Sequence, residues 1–370
     1  MQQCMHLARR AAGLTAPNPL VGATIIQKSQ CIGQGFHPKA GEPHAEIFAL
    51  REAGERARGA TLYVNLEPCN HTGRTPPCTT TILQAGIARV VVGMVDPNPL
   101  VAGSGIKRLR QAGIDVTVGV EEAACHELNE AFVHRIGKHL PFGILKYAMT
   151  LDGKIATVSG HSQWVSGAAA RQMVHAQRGF CDAVVVGGNT VRQDDPQLTC
   201  RLVAGRNPLR VVLSRRLDMP TTAQLWDTST APTLVLTEPT SGSHEAERQL
   251  LMSVLAQRGV EVTIVPKLTP RVAAEELYHR GHLATLWECG GALAAAALQE
   301  GVIQKVMAFV APKLVGGLAA PSPVGGDGVV SMGEAWILDQ VRDRQVGSDR
   351  LIEGYLKQPS THGKQSFRSG

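Results

Sequence analysis

Two rhythms of apolar positions alternate along the chain. Met5, Leu7, Ala8, Ala11 and Ala12 recur at helical spacing over residues 3–14, and Gly13 closes the run. Residues 21–27 and 30–36 read as strands close enough to form a hairpin. A helix over 44–57 buries Ile47, Leu50 and Ala53 and exposes Arg51, Glu52 and Glu55. Strands follow at 60–66, 90–94 and 116–118, with helices at 79–85 and 106–112 between them. A single helical stretch covers 121–139 and ends before Pro141. Beyond it a strand is predicted at 143–148, followed by apolar strands typical of a buried parallel sheet at 181–187, 210–214, 233–237, 260–266, 283–288 and 305–310. Helices are predicted at 167–179 and 292–300. Strands alternating with helices predict α/β architecture in both halves, the first an α/β/α layer with a mixed sheet.

A chain of 370 residues exceeds one ordinary core and implies two domains, with the boundary near Pro141. They are placed at 1–140 and 141–355, leaving 356–370 as a tail. From Leu356 onward that tail has no acidic side chain, and it is read as disordered. Aromatics are only 4% of the chain, so the cores rest on Val, Leu, Ile and Ala. The formal net charge of +6 is scattered, without a run of five Lys/Arg and with few stacking platforms. That argues against nucleic acid and suits a phosphorylated small molecule. No apolar run reaches the roughly 18 residues a membrane span needs, and the N-terminus lacks an apolar signal region. The eight dispersed cysteines do not suggest a disulfide framework. The expected setting is cytoplasmic, without a membrane or nucleic-acid partner; a homo-oligomer is compatible with the sequence.

Chemistry concentrates at His44-Ala45-Glu46, Glu67-Pro68-Cys69 and Cys78. One imidazole and two thiolates can hold zinc while leaving a fourth position for water, which the ion acidifies. Glu46, two residues after His44, is placed to shuttle protons without binding the metal. H-x-E followed by P-C-x-x-C is the zinc-deaminase signature. Here the second half is stretched, with eight residues between Cys69 and Cys78. The plainer reading is two ordinary core thiols, but the combination favours metal. Cys78 at a helix start is expected to favour the thiolate. Asn18, between Pro17 and Pro19, is either a turn residue or an amide aimed at a heterocycle. Two strand–glycine–helix junctions, Gly187-Gly188-Asn189-Thr190 and Glu288-Cys289-Gly290-Gly291-Ala292, either cradle phosphates or merely cap strands.

The chain resembles the bifunctional riboflavin-biosynthesis deaminase/reductase family of bacteria. The first half carries Pro17-Asn18-Pro19-x-Val21-Gly22, Gly41-Glu42-Pro43-His44-Ala45-Glu46 and the run from Leu66 to Cys78. The second carries Leu151-Asp152-Gly153-Lys154-Ile155-Ala156, Ser162-Gln163-Trp164, Asp194-Asp195-Pro196-x-Leu198-Thr199-x-Arg201 and Ala311-Pro312-Lys313-Leu314-x-Gly316-Gly317. The resemblance implies a cytidine-deaminase-like domain followed by a dihydrofolate-reductase-like one. It implies loss of the pyrimidine 2-amino group from a ribosylaminopyrimidine 5′-phosphate, then reduction of ribosyl to ribityl with NADPH. By position it places zinc on His44, Cys69 and Cys78, with Glu46 as proton shuttle. It places NADPH at Ala148, Trp164, Thr190, Asp194 and the run Gly290, Gly291, Ala292, Leu293, Ala294, Ala295 and Ala296. It places substrate at Ser162, Arg178, Leu198, Arg201 and Glu288.

An anionic phosphate calls for an arginine fork, which gives Arg178 and Arg201 added weight, and Arg74 is the candidate for that task in the first site. The family often has Asp-Ser or Asp-Thr where this chain has Ser214-Arg215, so no cofactor residue is assigned there. Three other readings compete with the resemblance. One is a nucleic-acid deaminase with a non-catalytic second domain. A second is a binding protein with structural zinc, against which the presence of Glu46 argues. A third is that only one half is active.

Overall fold

The computed structural model describes residues 1–71, 76–239 and 245–357. It divides into two compact units. The first is Met1–Phe142 with Gly179–Asp182 and Ala274–Ala284; the second is Gly143–Arg178, Ala183–Ala273 and the chain from Thr285.

The first part of the chain runs α1 (Gln2–Arg9), β1 (Gly22–Gln27), β2 (Gln30–Phe36), α2 (Ala45–Ala53), β3 (Thr61–Leu66), α3 (Cys78–Gln84), β4 (Arg89–Met94), α4 (Ser104–Gln111), β5 (Asp115–Val118), α5 (Glu122–Leu128) and α6 (Glu130–Lys138). Its five strands lie in the order β2-β1-β3-β4-β5. β1 is antiparallel to β2 and β3, while β3, β4 and β5 are parallel, so the sheet is mixed as expected. Ile25, Leu62, Val64, Val90 and Val92 form the buried heart of the sheet, with Ile82 and Leu109 from α3 and α4 packed into the same cluster. Gly33 and Gly35 explain how α2 comes so close to β2. A Cβ on either would fall 2.2 Å from Ala49 O or 2.5 Å from the Phe48 Cβ. That close approach brings the start of α2 over the sheet.

Two helices are shorter than the periodicity predicts. The helix expected over 44–57 ends at Ala53, because Gly54 takes φ +56° and the chain continues as a 3-10 turn through Ala57. The stretch 121–139 is two helices rather than one. Asn129 breaks it at φ −107°, ψ 20°. The cause is a tertiary contact. Buried Asn129 accepts the Leu20 N–H at 2.8 Å and donates to Leu20 O at 3.0 Å, while Asn65 also donates to that carbonyl at 2.9 Å. Two amides thus fix the Pro17–Leu20 turn. Asn129→Ala is expected to destabilise the first unit by about 1–3 kcal/mol, through the stranded Leu20 amide. Denaturant unfolding followed by far-UV circular dichroism checks this.

The rest of the chain runs β6 (Phe142–Thr150), α7 (Ala168–Phe180), β7 (Ala183–Gly187), α8 (Gly188–Asp194), β8 (Leu209–Leu213), β9 (Thr233–Thr237), α9 (Glu245–Gln257), β10 (Glu261–Ile264), α10 (Pro270–His279), β11 (Ala284–Trp287), α11 (Gly291–Gln299), β12 (Lys305–Ala311), β13 (Leu338–Val346) and β14 (Asp349–Leu356). Nine strands form one sheet in the order β10-β9-β8-β7-β11-β6-β12-β14-β13. The pairs β10–β9, β9–β8, β8–β7, β7–β11 and β6–β12 are parallel. The β13–β14 hairpin adds to β12 antiparallel.

Periodicity did not reveal α9, α10 or that hairpin, and α8 is signalled only by the Gly187-Gly188 junction. β13 lies at the sheet edge with nearly every residue exposed, so it carries no apolar alternation. Of the tail predicted at 356–370, only 356 and 357 are described. β14 holds its pairing through Tyr355 opposite Lys305, and its strand ends at Leu356; residues 358–370 lie outside the described residues. Among the described residues no helix is long and apolar enough to cross a membrane.

Candidate active sites

The C-terminal end of β3 and the N-termini of α2 and α3 meet around three side chains. His44 is the N-cap of α2, Cys69 lies just beyond β3, and Cys78 is the first residue of α3. The His44 Nδ1 is 3.5 Å from the Cys69 Sγ and 3.3 Å from the Cys78 Sγ. All three donor atoms lie within 4.8 Å of one another. Tetrahedral zinc with ordinary Zn–S and Zn–N bonds would set S and N about 3.6 Å apart. The cluster therefore has the size and donor chemistry for one such ion.

The three groups share charge closely. The Cys69 thiol is pulled down to about 4, first by the Cys78 hydrogen bond and also by His44, against burial. The Cys78 thiol is pushed up by the adjacent Cys69 sulfur and by burial. The two sulfurs and the imidazole therefore titrate together as one group. His44 is raised by its bond to Cys69.

Glu46 sits in the first turn of α2, is 2% exposed, and among the described residues has no partner for its Oε2. Burial pushes its carboxyl up to about 7, with His44 opposing. A carboxyl balanced near neutrality can both accept and return a proton. An unpartnered buried oxygen is rare in a folded protein, and beside a ligand cluster it marks a group suited to handling water.

His37 carries no motif that the sequence alone makes visible. It is buried and edge-on to His44, with ring centroids 5.5 Å apart. Its Nδ1 lies 3.1 Å from Pro43 O, which can only accept, so Nδ1 carries a proton. Burial lowers its pKa, so the ring is neutral and Nε2 accepts from the Asn18 amide at 3.1 Å. This fixes the Asn18 orientation: Nδ2 is committed and Oδ1 is left for a ligand. Arg74 lies outside the described residues.

In the second unit a cavity of about 670 Å³ is lined by Ala148, Ser162, Trp164, Arg178, Thr190, Asp194, Leu198, Arg201, Glu288 and Gly290. Of the run from Gly290 to Ala296, Gly290 alone lines it. Gly291 opens α11 and bonds Gly325 through its carbonyl, while Ala294 and Ala295 are buried. The floor is an ion cluster. Arg178 reaches Glu288 with Nε at 2.6 Å and Nη2 at 3.1 Å, and donates Nη1 to Thr199 O at 3.0 Å. Lys146, on β6, lies 3.5 Å from the same carboxylate.

Burial disfavours the Glu288 charge, but Arg178 and Lys146 override it and hold the carboxyl down at about 2. Burial lowers Lys146, with Glu288 opposing. Sequence reasoning missed Lys146. Its only signal is a lysine inside the apolar run Phe142–Thr150. Arg178 is expected as a phosphate fork, yet three of its five N–H donors are engaged within the protein. Arg201 is exposed at the cavity, close enough to Arg178 to feel its charge. Ser162 donates to Asp194 at 3.0 Å, and Arg171 stacks 4.6 Å over the Trp164 ring.

Comparison with known proteins adds to this geometry. Residues 1–94 match the cytidine and deoxycytidylate deaminase zinc-binding region, and residues 141–356 match the RibD C-terminal domain. The chain is 59% identical to the riboflavin biosynthesis protein RibD of Synechocystis, covering 99% of this chain and 98% of that one. It is 41% identical to RibD of Aquifex aeolicus, covering 95% and 96%. Among solved structures it is similar to Acinetobacter baumannii RibD, at TM-score 0.83 and 39% identity over 96% of this chain and 98% of that one. It is also similar to the diaminohydroxyphosphoribosylaminopyrimidine deaminase/5-amino-6-(5-phosphoribosylamino)uracil reductase of Thermotoga maritima, at TM-score 0.83 and 36% identity over 96% and 97%. A nucleic-acid deaminase with an inert second half is not favoured, since the relatives span both halves. The chain belongs to the RibD family and is a bifunctional deaminase and reductase of riboflavin biosynthesis.

Proposed function

We propose that the first unit binds zinc on His44, Cys69 and Cys78 and deaminates a diaminohydroxyphosphoribosylaminopyrimidine. The second unit then binds NADPH and reduces the ribosyl group of 5-amino-6-(5-phosphoribosylamino)uracil, the reaction named for the Thermotoga relative. The observation that carries the first half is the three-donor cluster with the unpartnered Glu46 oxygen in the adjoining turn.

Zinc, when bound, brings the pKa of a water toward neutrality. Glu46 takes one proton from the attacking water and passes it to the ring nitrogen, then takes the second from the added hydroxyl and passes it to the amine, which leaves as ammonia. Neutral His37 holds Asn18 so that its carbonyl oxygen can accept from a ring N–H or amino group. Burial of Glu46 keeps bulk water from competing for the proton.

NADPH, when bound, supplies the hydride of the second step. The cavity volume lies within the range of ordinary cofactor and ligand pockets. Gly187 and Gly290 stand as extended N-caps of α8 and α11, so both helix starts present free N–H groups to an anion. Glu288, kept ionised by Arg178 and Lys146, is an acceptor for substrate hydroxyl or amine groups. Arg201 and the two remaining Arg178 donors form the cationic clamp for the 5′-phosphate.

Chelator treatment separates the halves. The metal-free protein is expected to lose ammonia release and to regain it with added zinc. NADPH oxidation with the deaminated substrate is expected to continue at the untreated rate. Undiminished ammonia release from metal-free protein would defeat the zinc assignment, and no NADPH oxidation by the untreated enzyme would defeat the reductase assignment.

A further inference from the structure

We infer that Glu67 is a positioning residue of the deaminase, which with Arg108 makes α4 the brace that fixes both metal-binding cysteines. The inference rests on the zinc reading proposed above.

Glu67 precedes Pro68-Cys69 and is 6% exposed, yet among the described residues its hydrogen bonds come from no cationic side chain. Four backbone amides solvate it instead. Its Oε2 accepts from Asp96 N at 3.2 Å and Gly103 N at 2.9 Å; its Oε1 accepts from Gly105 N at 2.9 Å and Ile106 N at 3.2 Å. Those of Gly105 and Ile106 are free donors at the start of α4, where the helix dipole also favours a negative charge. The carboxylate therefore ties the residue two before Cys69 to the first turn of α4 and to both ends of the 96–103 loop.

The approach is close. A Cβ on Gly105 would fall 2.1 Å from Pro68 O, so only glycine lets the helix lie against the backbone that leads into Cys69. One turn later Arg108 continues the grip. Its Nη1 donates to Asn70 Oδ1 at 2.9 Å and its Nη2 to Thr80 Oγ1 at 3.0 Å. Buried Thr79 donates to the same Asn70 oxygen at 3.0 Å. The residues held are thus 67 and 70, flanking Cys69, and 79 and 80, following Cys78. Among the described residues α4 gives neither sulfur a hydrogen bond, and it holds the backbone on which both sit. Outer contacts of this kind typically change metal affinity or activity by about 10–100-fold.

Glutamine keeps the shape of Glu67 but not its acceptors. Its amide nitrogen would face two N–H donors, so half the cradle becomes repulsive whichever way it flips. Zinc affinity of Glu67→Gln, measured by chelator competition well below the melting temperature, is expected to fall about 10–100-fold. Ammonia-release kcat at saturating zinc is expected to fall with it, while far-UV circular dichroism of the variant serves as the folding control and NADPH oxidation should be unchanged. Arg108→Met, on a partly exposed side chain, is expected to weaken zinc in the same direction. It decides the question if Glu67→Gln does not fold.

A purely structural cap would lower the melting temperature and leave the zinc affinity of the folded protein unchanged. Wild-type zinc affinity and kcat in a folded Glu67→Gln, or in Arg108→Met if the first variant does not fold, would overturn the inference. Wild-type protein that binds no zinc would instead overturn the metal site itself.

Discussion

Glu46→Gln is expected to lower ammonia release by about 10²–10⁴-fold, the usual weight of a positioned general acid–base, while one zinc per chain is retained. Glutamine matches the buried shape of Glu46 and has no proton to accept or return at neutral pH. The proposed donor set is His44, Cys69 and Cys78, and the substitution leaves all three side chains in place. The unpartnered Oε2 is the atom whose chemistry is removed. Metal analysis and an ammonia assay on the same preparation check both halves of the statement. NADPH oxidation with the deaminated substrate should be unchanged. Full deaminase activity in this variant would remove Glu46 from the proton path.

The second large effect is expected at Glu288. Glu288→Gln leaves Arg178 and Lys146 in a buried cluster without their shared counter-charge. Removing one partner of a buried pair typically costs about 3–5 kcal/mol. The side chains of Glu288, Arg178 and Lys146 are only 9%, 11% and 16% exposed, so solvent screening relieves little of this. All four tryptophans, Trp164, Trp226, Trp287 and Trp336, lie in the second half, so intrinsic fluorescence reports that half alone. The urea midpoint by fluorescence should fall by on the order of 1–2 M, and NADPH oxidation should be lost.

The wild-type pH dependence carries the same signature. The Glu288 carboxyl is held at about 2 against an ordinary 4.5. Its stabilisation is present above the unfolded value and is lost as pH falls from about 4.5 through about 2. The gap corresponds to about 3 kcal/mol. Wild type and variant should therefore converge in stability across that window. A variant with an unchanged midpoint at neutral pH would show that the cluster contributes nothing net.

Much of the first site was readable because its signal is local. His44 and Glu46 share one helical turn, and Cys69 follows a strand whose buried positions announce it. Every strand assigned from apolar runs exists in the structure; central strands such as β3, β4, β7 and β9 are buried almost throughout, while β2, β5 and β10 at the sheet edges are half exposed. The misses share a different cause. Helix 121–139 has the right periodicity throughout, and only the Leu20 backbone, over a hundred positions earlier, makes Asn129 break it. β13 is an edge strand held by hydrogen bonds rather than burial, so its sequence carries no pattern to read.

The sequence by itself determined which chemistry the chain can perform. Imidazole, thiol and carboxyl groups at those spacings, and strands alternating with helices, follow from residue type and period alone. Tertiary structure decided which groups act together. Strand order places β11 between β7 and β6, and that adjacency sets Lys146 and Arg178 on Glu288 from 142 and 110 positions away. It turned Arg178 largely inward and left Arg201 at the cavity. It brought the Cys69 and Cys78 sulfurs together with His44, and it hid Glu67 against the start of α4. Each outcome depends on charge and desolvation between groups distant along the chain, and those energies exist only once the sheets have formed.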